Sequence, residues 1–194
     1  LVGAVAAGNA VVLKPSEVTA HTSAVLAETL PNYLDQDAIA LVEGGVDETS
    51  ALLDQRFDHI LYTGNGHVGR IVMEKASHTL TPVTLELGGK SPCIVDSTAD
   101  IDISARRIAW GKFINAGQTC IAPDYILVEE PVRDALISAI EKSVRDFYGE
   151  NPQETADYAR VVNKRHHARI SKLLEGEEIA FGGKTDADDC YIEP

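Results

Sequence analysis

The chain has 194 residues, of which 44% are hydrophobic and 24% charged, and its formal net charge is −13. This composition is typical of a globular protein with a sizeable core, and the acidic charge argues against nucleic acid or an anionic membrane as a partner. No apolar run approaches the roughly 18–20 residues of a membrane span, and three widely spaced cysteines make no disulfide framework, so we expect a reducing, cytoplasmic setting.

The first part of the chain alternates short apolar strands with helices. Strands are predicted at residues 10–13, 38–42, 59–62 and 83–87. Helices are predicted at residues 19–30, 48–53 and 66–78. Because short apolar strands separated by amphipathic helices indicate βαβ units, we predict the α/β class with a Rossmann-like parallel sheet.

The same alternation continues after the segment LGGKSP, at residues 87–92. Strands are predicted at residues 93–95 and 125–128, helices at 101–113, 132–148 and 164–174, and a short apolar segment at 179–181. We predict a boundary at LGGKSP, which divides the chain into residues 1–88 and 89–194. The chain opens at Leu1 inside an apolar pattern and ends in the strand-like CYIEP, so we expect a piece of a longer protein, truncated at both ends.

The segment LYTGNGHVGRIV places Gly64, Gly66 and Gly69 between a predicted strand and a predicted helix. Glycines allow a phosphate to approach the backbone, and a helix N-terminus offers free N–H groups to an anion. The alternative is a tight turn without a ligand. By the simple dinucleotide fingerprint, an acid about 20 residues further on binds a ribose, and Glu86 stands there.

The segment VVLKPSE ends a predicted strand with Lys14 and Glu17. An acid in this place accepts hydrogen bonds from ribose hydroxyls, and a nearby lysine adds a donor or meets a phosphate. The alternative is a simple helix start, with Ser16 or Thr19 as the cap and Glu17 favoured by the helix dipole.

The segment VTLELGGKSP places Glu86 in an apolar strand. A carboxylate there would be partly desolvated, which suits a general base. The alternative is an edge-strand glutamate that points to water.

The segment WGKFINAGQTCIAP places Cys120 among small and polar residues. A thiolate reacts when it is accessible and in a polar setting, and backbone N–H groups of such a loop can stabilise an oxyanion. The alternative is an inert small residue, which is how we interpret Cys93 and Cys190. The adjacent His166 and His167 would point about 100° apart on a helix, so we predict no metal site.

Four segments in order, GNAVVLKPSE, YTGNGHVG, LELGGKSP and FINAGQTC, resemble the signatures of the aldehyde dehydrogenase superfamily. Two segments are most similar in sequence to the class 3 branch: WGKFINAGQTCIAPDYILVEE and RVVNKRHHARISKLLEG. The resemblance covers essentially the whole chain and implies the aldehyde dehydrogenase fold. It makes residues 1–88 part of an NAD(P)-binding domain and residues 89–194 part of a catalytic thiol domain.

The resemblance implies that Cys120 attacks an aldehyde to give a thiohemiacetal and then a thioester. It implies that Glu86 is the base that activates water, so the ribose role for Glu86 is withdrawn. Lys14 and Glu17 then match the adenosine ribose contacts. The remaining cofactor positions that it implies are Gly64, Asn65, Val68 and Gly69 at the helix start and the Leu87 backbone near the nicotinamide.

The resemblance also implies a small-molecule aldehyde as substrate and a homodimeric parent protein. Glu17 favours NAD, while Lys14 would tolerate the extra phosphate of NADP. Gly66 departs from the Thr or Ser that class 3 members generally carry. Two family segments are absent from this chain: PWN, which supplies an oxyanion-hole asparagine, and EIFGP, which supplies a glutamate for the nicotinamide ribose. Loss of one oxyanion donor costs about 10²–10³ in rate.

Three functions therefore compete. The first is an aldehyde dehydrogenase that uses NAD(P). The second is an inactive relative that binds a nucleotide or a partner without turnover. The third is a thioesterase-like hydrolase, because Cys120 and Glu86 suffice to form and cleave an acyl-enzyme.

Overall fold

The computed structural model describes residues 1–194 and divides them into two units, Leu1–Glu86 and Leu87–Pro194. The helices of the first unit are α1 (Val2–Ala6), α2 (Ala20–Thr29), α3 (Val46–Leu53) and α4 (Gly66–Ser77). Its strands are β1 (Val11–Leu13), β2 (Ile39–Leu41), β3 (Ile60–Thr63) and β4 (Val83–Glu86). β1 pairs with β2 and β3 with β4, both in parallel. The predicted α/β class with parallel pairing is confirmed.

The second unit repeats this arrangement. Its helices are α5 (Ile101–Phe113), α6 (Glu130–Tyr148) and α7 (Lys164–Ser171). Its strands are β5 (Ser91–Val95), β6 (Pro123–Val128), β7 (Thr185–Asp186) and β8 (Tyr191–Ile192). β5 and β6 are parallel, whereas β7 and β8 form a short antiparallel ribbon. The assignment of residues 1–88 and 89–194 to a cofactor domain and a thiol domain stays a prediction.

The main hydrophobic core lies in the second unit. Its α6 buries one face at helical spacing, with Leu136, Ile140 and Val144 below a tenth exposed. Pro131 occupies the first turn of that helix, where a missing amide costs nothing. The rest of this core cluster comes from β5 and α5: Val95, Ala105, Ile108 and Ala109. In the first unit, α4 buries Gly69, Val72 and Ala76 at helical spacing.

Two elements of the structure, α1 and β7, were not predicted from the sequence. The apolar residues 179–181 carry no regular secondary structure, because Gly182 and Gly183 follow with φ of 67° and 87° and turn the chain. The helix α1 was not predicted, since Gly3 weakens its helical pattern. None of the helices combines the length and the apolar composition that crossing a membrane requires.

Candidate active site

Lys14 and Glu17 form an ion pair just after β1. Lys14 Nζ lies 3.5 Å from Glu17 Oε2, and it donates to the carbonyl oxygens of Pro15 at 2.8 Å and Gly44 at 2.9 Å. The side chain of Lys14 is 17% exposed and that of Glu17 is 53% exposed. The carboxylate therefore faces solvent, whereas the lysine is held against the loop that follows β2.

Glu48 anchors the loop that receives Lys14. Its Oε2 accepts from the amide of Gly45 at 2.7 Å. Hydrogen bonds from the backbone amides of Glu48 and Gly45 lower the pKa of the Glu48 carboxyl below its ordinary value, and the charge of Lys14 lowers it further. The carboxylate stays ionised near neutral pH, so it keeps the hydrogen bond that shapes this loop.

Ser16 caps the helical turn beside this ion pair. Its Oγ accepts from the amide of Val18 at 3.2 Å, and Thr19 donates its hydroxyl to the Ser16 carbonyl at 3.3 Å. The helix-start interpretation is therefore confirmed for Ser16, whereas Thr19 makes no side-chain cap to α2. Because the Ser16 side chain provides the cap, the carboxylate of Glu17 is not needed for capping.

The glycine turn joins β3 to α4 as predicted. Asn65 caps the helix: its Oδ1 accepts from the amide of Val68 at 3.0 Å, and its carbonyl accepts from Gly69 at 3.0 Å. The amides of Gly66 and His67 donate to no acceptor in the chain. These two free amides lie at the positive end of the helix dipole, where an anion is stabilised.

The turn also leaves space above those amides. A Cβ on Gly66 would meet only Arg70 Nη1 within 4 Å, at 3.7 Å, whereas a Cβ on Gly64 would overlap the hydroxyl of Tyr62. Two free amides, a positive helix end and missing side chains fit a pyrophosphate group. The residues present in this turn therefore fit the phosphate part of a dinucleotide cofactor.

Glu86 ends β4 next to this turn. It stands opposite Thr63, and its carbonyl accepts from the amide of Gly64 at 2.9 Å. Its side chain is exposed, so the expected partial desolvation is wrong for this chain. The reason is the alternation of β4, in which Thr84 and Glu86 share the exposed face and Leu85 the half-buried one.

Cys120 follows a tight turn, Ile114–Gly117, at the end of α5. Three consecutive residues of this turn have left-handed backbones: Asn115 at φ 54°, Ala116 at 51° and Gly117 at 76°. Such conformations cost energy in residues other than glycine and are concentrated at functional sites. The turn is followed by a loop in which the side chain of Cys120 is exposed, as a reactive thiol requires.

The loop around Cys120 offers free donors and close packing. The amides of Cys120 and Ile121 donate to no acceptor in the chain, so they are available to an oxyanion. Gly89 approaches the carbonyl of Cys120 so closely that a Cβ would overlap that oxygen. Gly88, in contrast, has no such neighbour within 4 Å. The second glycine of LGGKSP therefore allows the loop around Cys120, called the thiol loop below, to pack in this position.

Sequence reasoning missed Gln118 in this loop. Its Nε2 donates to the carbonyl oxygens of Asn115 and Arg160, each at 3.0 Å, and its Oε1 accepts from the amide of Val162 at 2.9 Å. The last two partners are more than 40 residues away along the chain. No local pattern around a glutamine predicts such partners, so the sequence held no signal for these bonds.

The predicted site residues fall in both units. Gly64 and Glu86 are brought together in the first unit, and Cys120 packs against Gly89 in the second. Leu87 opens the second unit and is 39% exposed. The roles of Glu86 as base, Cys120 as nucleophile and Leu87 as a nicotinamide neighbour stay predictions.

The remaining cysteines and the paired histidines are half-buried or buried. Cys93 and Cys190 are half-buried. His167 is buried on α7, and its Nε2 lies 2.9 Å from the carbonyl oxygen of Tyr191. His166 is half-buried, and its pKa is lowered by burial and by the charges of the neighbouring arginines.

Comparison with known proteins gives a consistent result over the whole chain. The model of the "Aldehyde dehydrogenase family" matches residues 1–194. The chain is 60% identical over 194 residues to "Aldehyde dehydrogenase family 3 member A2" of Rattus norvegicus, covering 100% of this chain and 40% of that protein. It is 54% identical to "Aldehyde dehydrogenase, dimeric NADP-preferring" of the same species, again over 100% of this chain and 43% of that protein.

A solved structure, the substrate-bound state of Staphylococcus aureus AldH, superimposes with a TM-score of 0.95 at 49% identity. The superposition covers 100% of this chain and 43% of that chain. The chain therefore spans about two fifths of the length of the relatives that it matches.

Proposed function

Because the chain belongs to the aldehyde dehydrogenase family, we propose that it carries the cofactor-binding and thiol-bearing parts of an enzyme that oxidises an aldehyde to a carboxylic acid with NAD(P)⁺. The observation that carries this proposal is the loop of Cys120. An exposed thiol stands beside two amides that have no acceptor, in a chain that the family model matches over residues 1–194.

In the proposed reaction, the thiolate of Cys120 adds to the aldehyde carbon, and a C–S bond forms as the carbonyl oxygen becomes an alkoxide. The free amides of Cys120 and Ile121 are available to stabilise that charge. When bound, NAD(P)⁺ would supply the acceptor for the hydride of this carbon. The product on the sulfur is a thioester.

Glu86 is proposed to complete the cycle as the general base. It accepts a proton from water, which adds to the thioester carbon, and the C–S bond then breaks to release the carboxylic acid and the thiolate. The exposed position of Glu86 at the end of β4 leaves its carboxylate open to water. Replacing a general base typically costs about 10²–10⁴ in rate.

The cofactor is proposed to bind along the carboxyl ends of the strands in the first unit. The free amides of Gly66 and His67 would hold the pyrophosphate, and the exposed carboxylate of Glu17 would accept from the ribose hydroxyls. We propose NAD⁺ as the preferred form, with NADP⁺ also accepted through Lys14. The relative whose name is NADP-preferring supports that second form, and its name as dimeric supports a homodimeric parent.

The test is NAD(P)H production by this chain with a medium-chain and an aromatic aldehyde, each with NAD⁺ and with NADP⁺. We expect Cys120→Ser to abolish turnover and Cys190→Ser, the matched control, to leave it intact. Glu86→Gln should allow the first hydride transfer and slow the later release by about 10²–10⁴. Turnover that survives Cys120→Ser would refute the proposed nucleophile.

A chain that binds the cofactor but produces no NAD(P)H would favour the second function, a nucleotide-binding relative without turnover. Isothermal titration calorimetry with NAD⁺ and with NADP⁺ separates that outcome from a failure to bind the cofactor.

A further inference from the structure

We propose that Gln118 is a positioning residue that holds the Cys120 loop so that its free amides face the reacting carbonyl. This proposal rests on the proposed function of Cys120 and deepens it. The side-chain amide of Gln118 uses both of its N–H groups and its oxygen: it donates to Asn115 and Arg160 and accepts from Val162. These three bonds fix the residue two positions before the thiol.

The bonds connect the loop in two directions. Toward the turn, the amide of Gln118 also donates to the carbonyl of Asn115 at 3.1 Å, and Asn115 Nδ2 donates back to the carbonyl of Gln118 at 3.3 Å. This closed ring of bonds supports the left-handed backbone at Asn115. The turn would otherwise be free to relax, because such a conformation is strained.

Toward the rest of the unit, Gln118 is bonded to a rigid partner. The guanidinium of Arg160 donates to Asp189 at 2.8 Å, to the carbonyl of Tyr158 at 3.0 Å and to the carbonyl of Gln153 at 2.6 Å. It also lies 5.1 Å from the ring centroid of Tyr191. The carbonyl of Arg160, which accepts from Gln118, is therefore held in place by its own side chain.

A second contact holds the loop by packing. There Gly89 touches the carbonyl of Cys120. Neither Gln118 nor Gly89 contributes a group that reacts. Their combined effect is to orient the peptide of Cys120, and a displacement of about 1 Å in such a group can cost about 10²-fold in rate.

The experiment compares two reagents at the three cysteines of the intact chain. p-Nitrophenyl acetate acylates a thiolate: the C–S bond forms, the C–O bond breaks, and p-nitrophenolate leaves after an oxyanion has formed. Iodoacetamide alkylates the same sulfur by displacing iodide, and no oxyanion forms. Rate constants are read for each cysteine by quenching at low pH and peptide mass spectrometry, with Cys190 as the internal reference.

We expect Cys120 of the unmodified chain to be acylated faster than Cys190. In Gln118→Met we expect acylation of Cys120 to fall about 10- to 100-fold, while its alkylation changes by about twofold or less. Gln55→Met is the matched control, because the Gln55 amide makes a single exposed bond to Ala51 at 3.1 Å; it should change neither rate. A merely structural role of Gln118 would move both reagents together and would alter Cys190 as well.

Gln118→Glu provides a second variant if Gln118→Met does not fold. It keeps the acceptor for Val162 but loses both donated bonds, so we expect an intermediate loss of acylation. Equal acylation in the unmodified chain and both variants would overturn the role of Gln118 while leaving Cys120 as the nucleophile. Acylation of Cys120 no faster than that of Cys190 in the unmodified chain would overturn the proposed nucleophile and the role of Gln118 with it.

Discussion

The two units of the chain differ in how firmly their predicted site residues are held. In the first unit, α4 buries Val72 and Ala76, and the turn before it has open space and unpaired amides. In the second unit, seven buried residues form one core cluster, and the thiol loop is held by the hydrogen bonds of Gln118 and by the close approach of Gly89. A phosphate site needs free donors and room, whereas a nucleophile needs a fixed direction.

The two units do not differ in how they expose their sheets. One face of each parallel pair stays open, with Val12 and Leu61 exposed in the first unit and Ile94 and Leu127 in the second. Parallel sheets usually have both faces covered. The difference between the units therefore lies in their cores and loops, and the following changes test it.

The largest difference is expected for core truncations. Leu136→Ala in the second unit should lower the free energy of unfolding by about 2–5 kcal/mol, because it leaves a cavity in a packed cluster. Val72→Ala in the first unit removes less surface and should cost about 1–2 kcal/mol. Urea unfolding followed by the fluorescence of Trp110 and by circular dichroism measures both. A larger loss for Val72→Ala would reverse the comparison.

A smaller difference is expected for the two glycine segments. Gly89→Ala should cost about 1–3 kcal/mol and slow the acylation of Cys120, because a methyl group there overlaps the Cys120 carbonyl. Gly66→Ala should be neutral or stabilise by up to about 1 kcal/mol, because the position has space and begins a helix.

Thermal unfolding of these two variants and of Gly88→Ala, the matched neighbour without contacts, gives the comparison. Equal effects at Gly88 and Gly89 would show that the close contact with the thiol loop does not matter for stability.

The last expected effect is a loss of stability that is absent at neutral pH. It concerns two buried tyrosines of the second unit. Burial raises the pKa of Tyr191 to about 12 and also raises that of Tyr158; the charge of Glu193 adds to both shifts and that of Arg160 opposes them. In an unfolded chain these phenols ionise near pH 10. The contribution of the neutral phenols to the free energy of unfolding is therefore fully present below pH 10. It is lost as the pH rises from about 10 to 12.

Urea midpoints at pH 8, 10 and 11.5 should fall across that range. Tyr191→Phe should reduce the fall, whereas Tyr33→Phe, at an exposed position of the first unit, should leave it unchanged. A midpoint that stays constant up to pH 11.5 would contradict the burial of these phenols.

Much of the fold could be predicted because the signals are local. The helix at residues 101–113 was predicted with its exact bounds, since Asp100 caps it by accepting from the amide of Ile103 at 3.0 Å. Asn65 marks the start of α4 in the same way. Where a contact depends on the rest of the chain, prediction fails: Arg160 and Val162, which bond to Gln118, lie more than 40 residues away along the chain.

The sequence by itself determined the class of the fold, the positions of its main helices and strands, and the family, because hydrophobic spacing, caps and four ordered motifs are written in neighbouring residues. Only the tertiary structure decided that Gly89 packs against the thiol loop and that Gln118 is bonded to Arg160 and Val162. These features join residues that are distant along the chain, and their contacts depend on packing that no local pattern encodes.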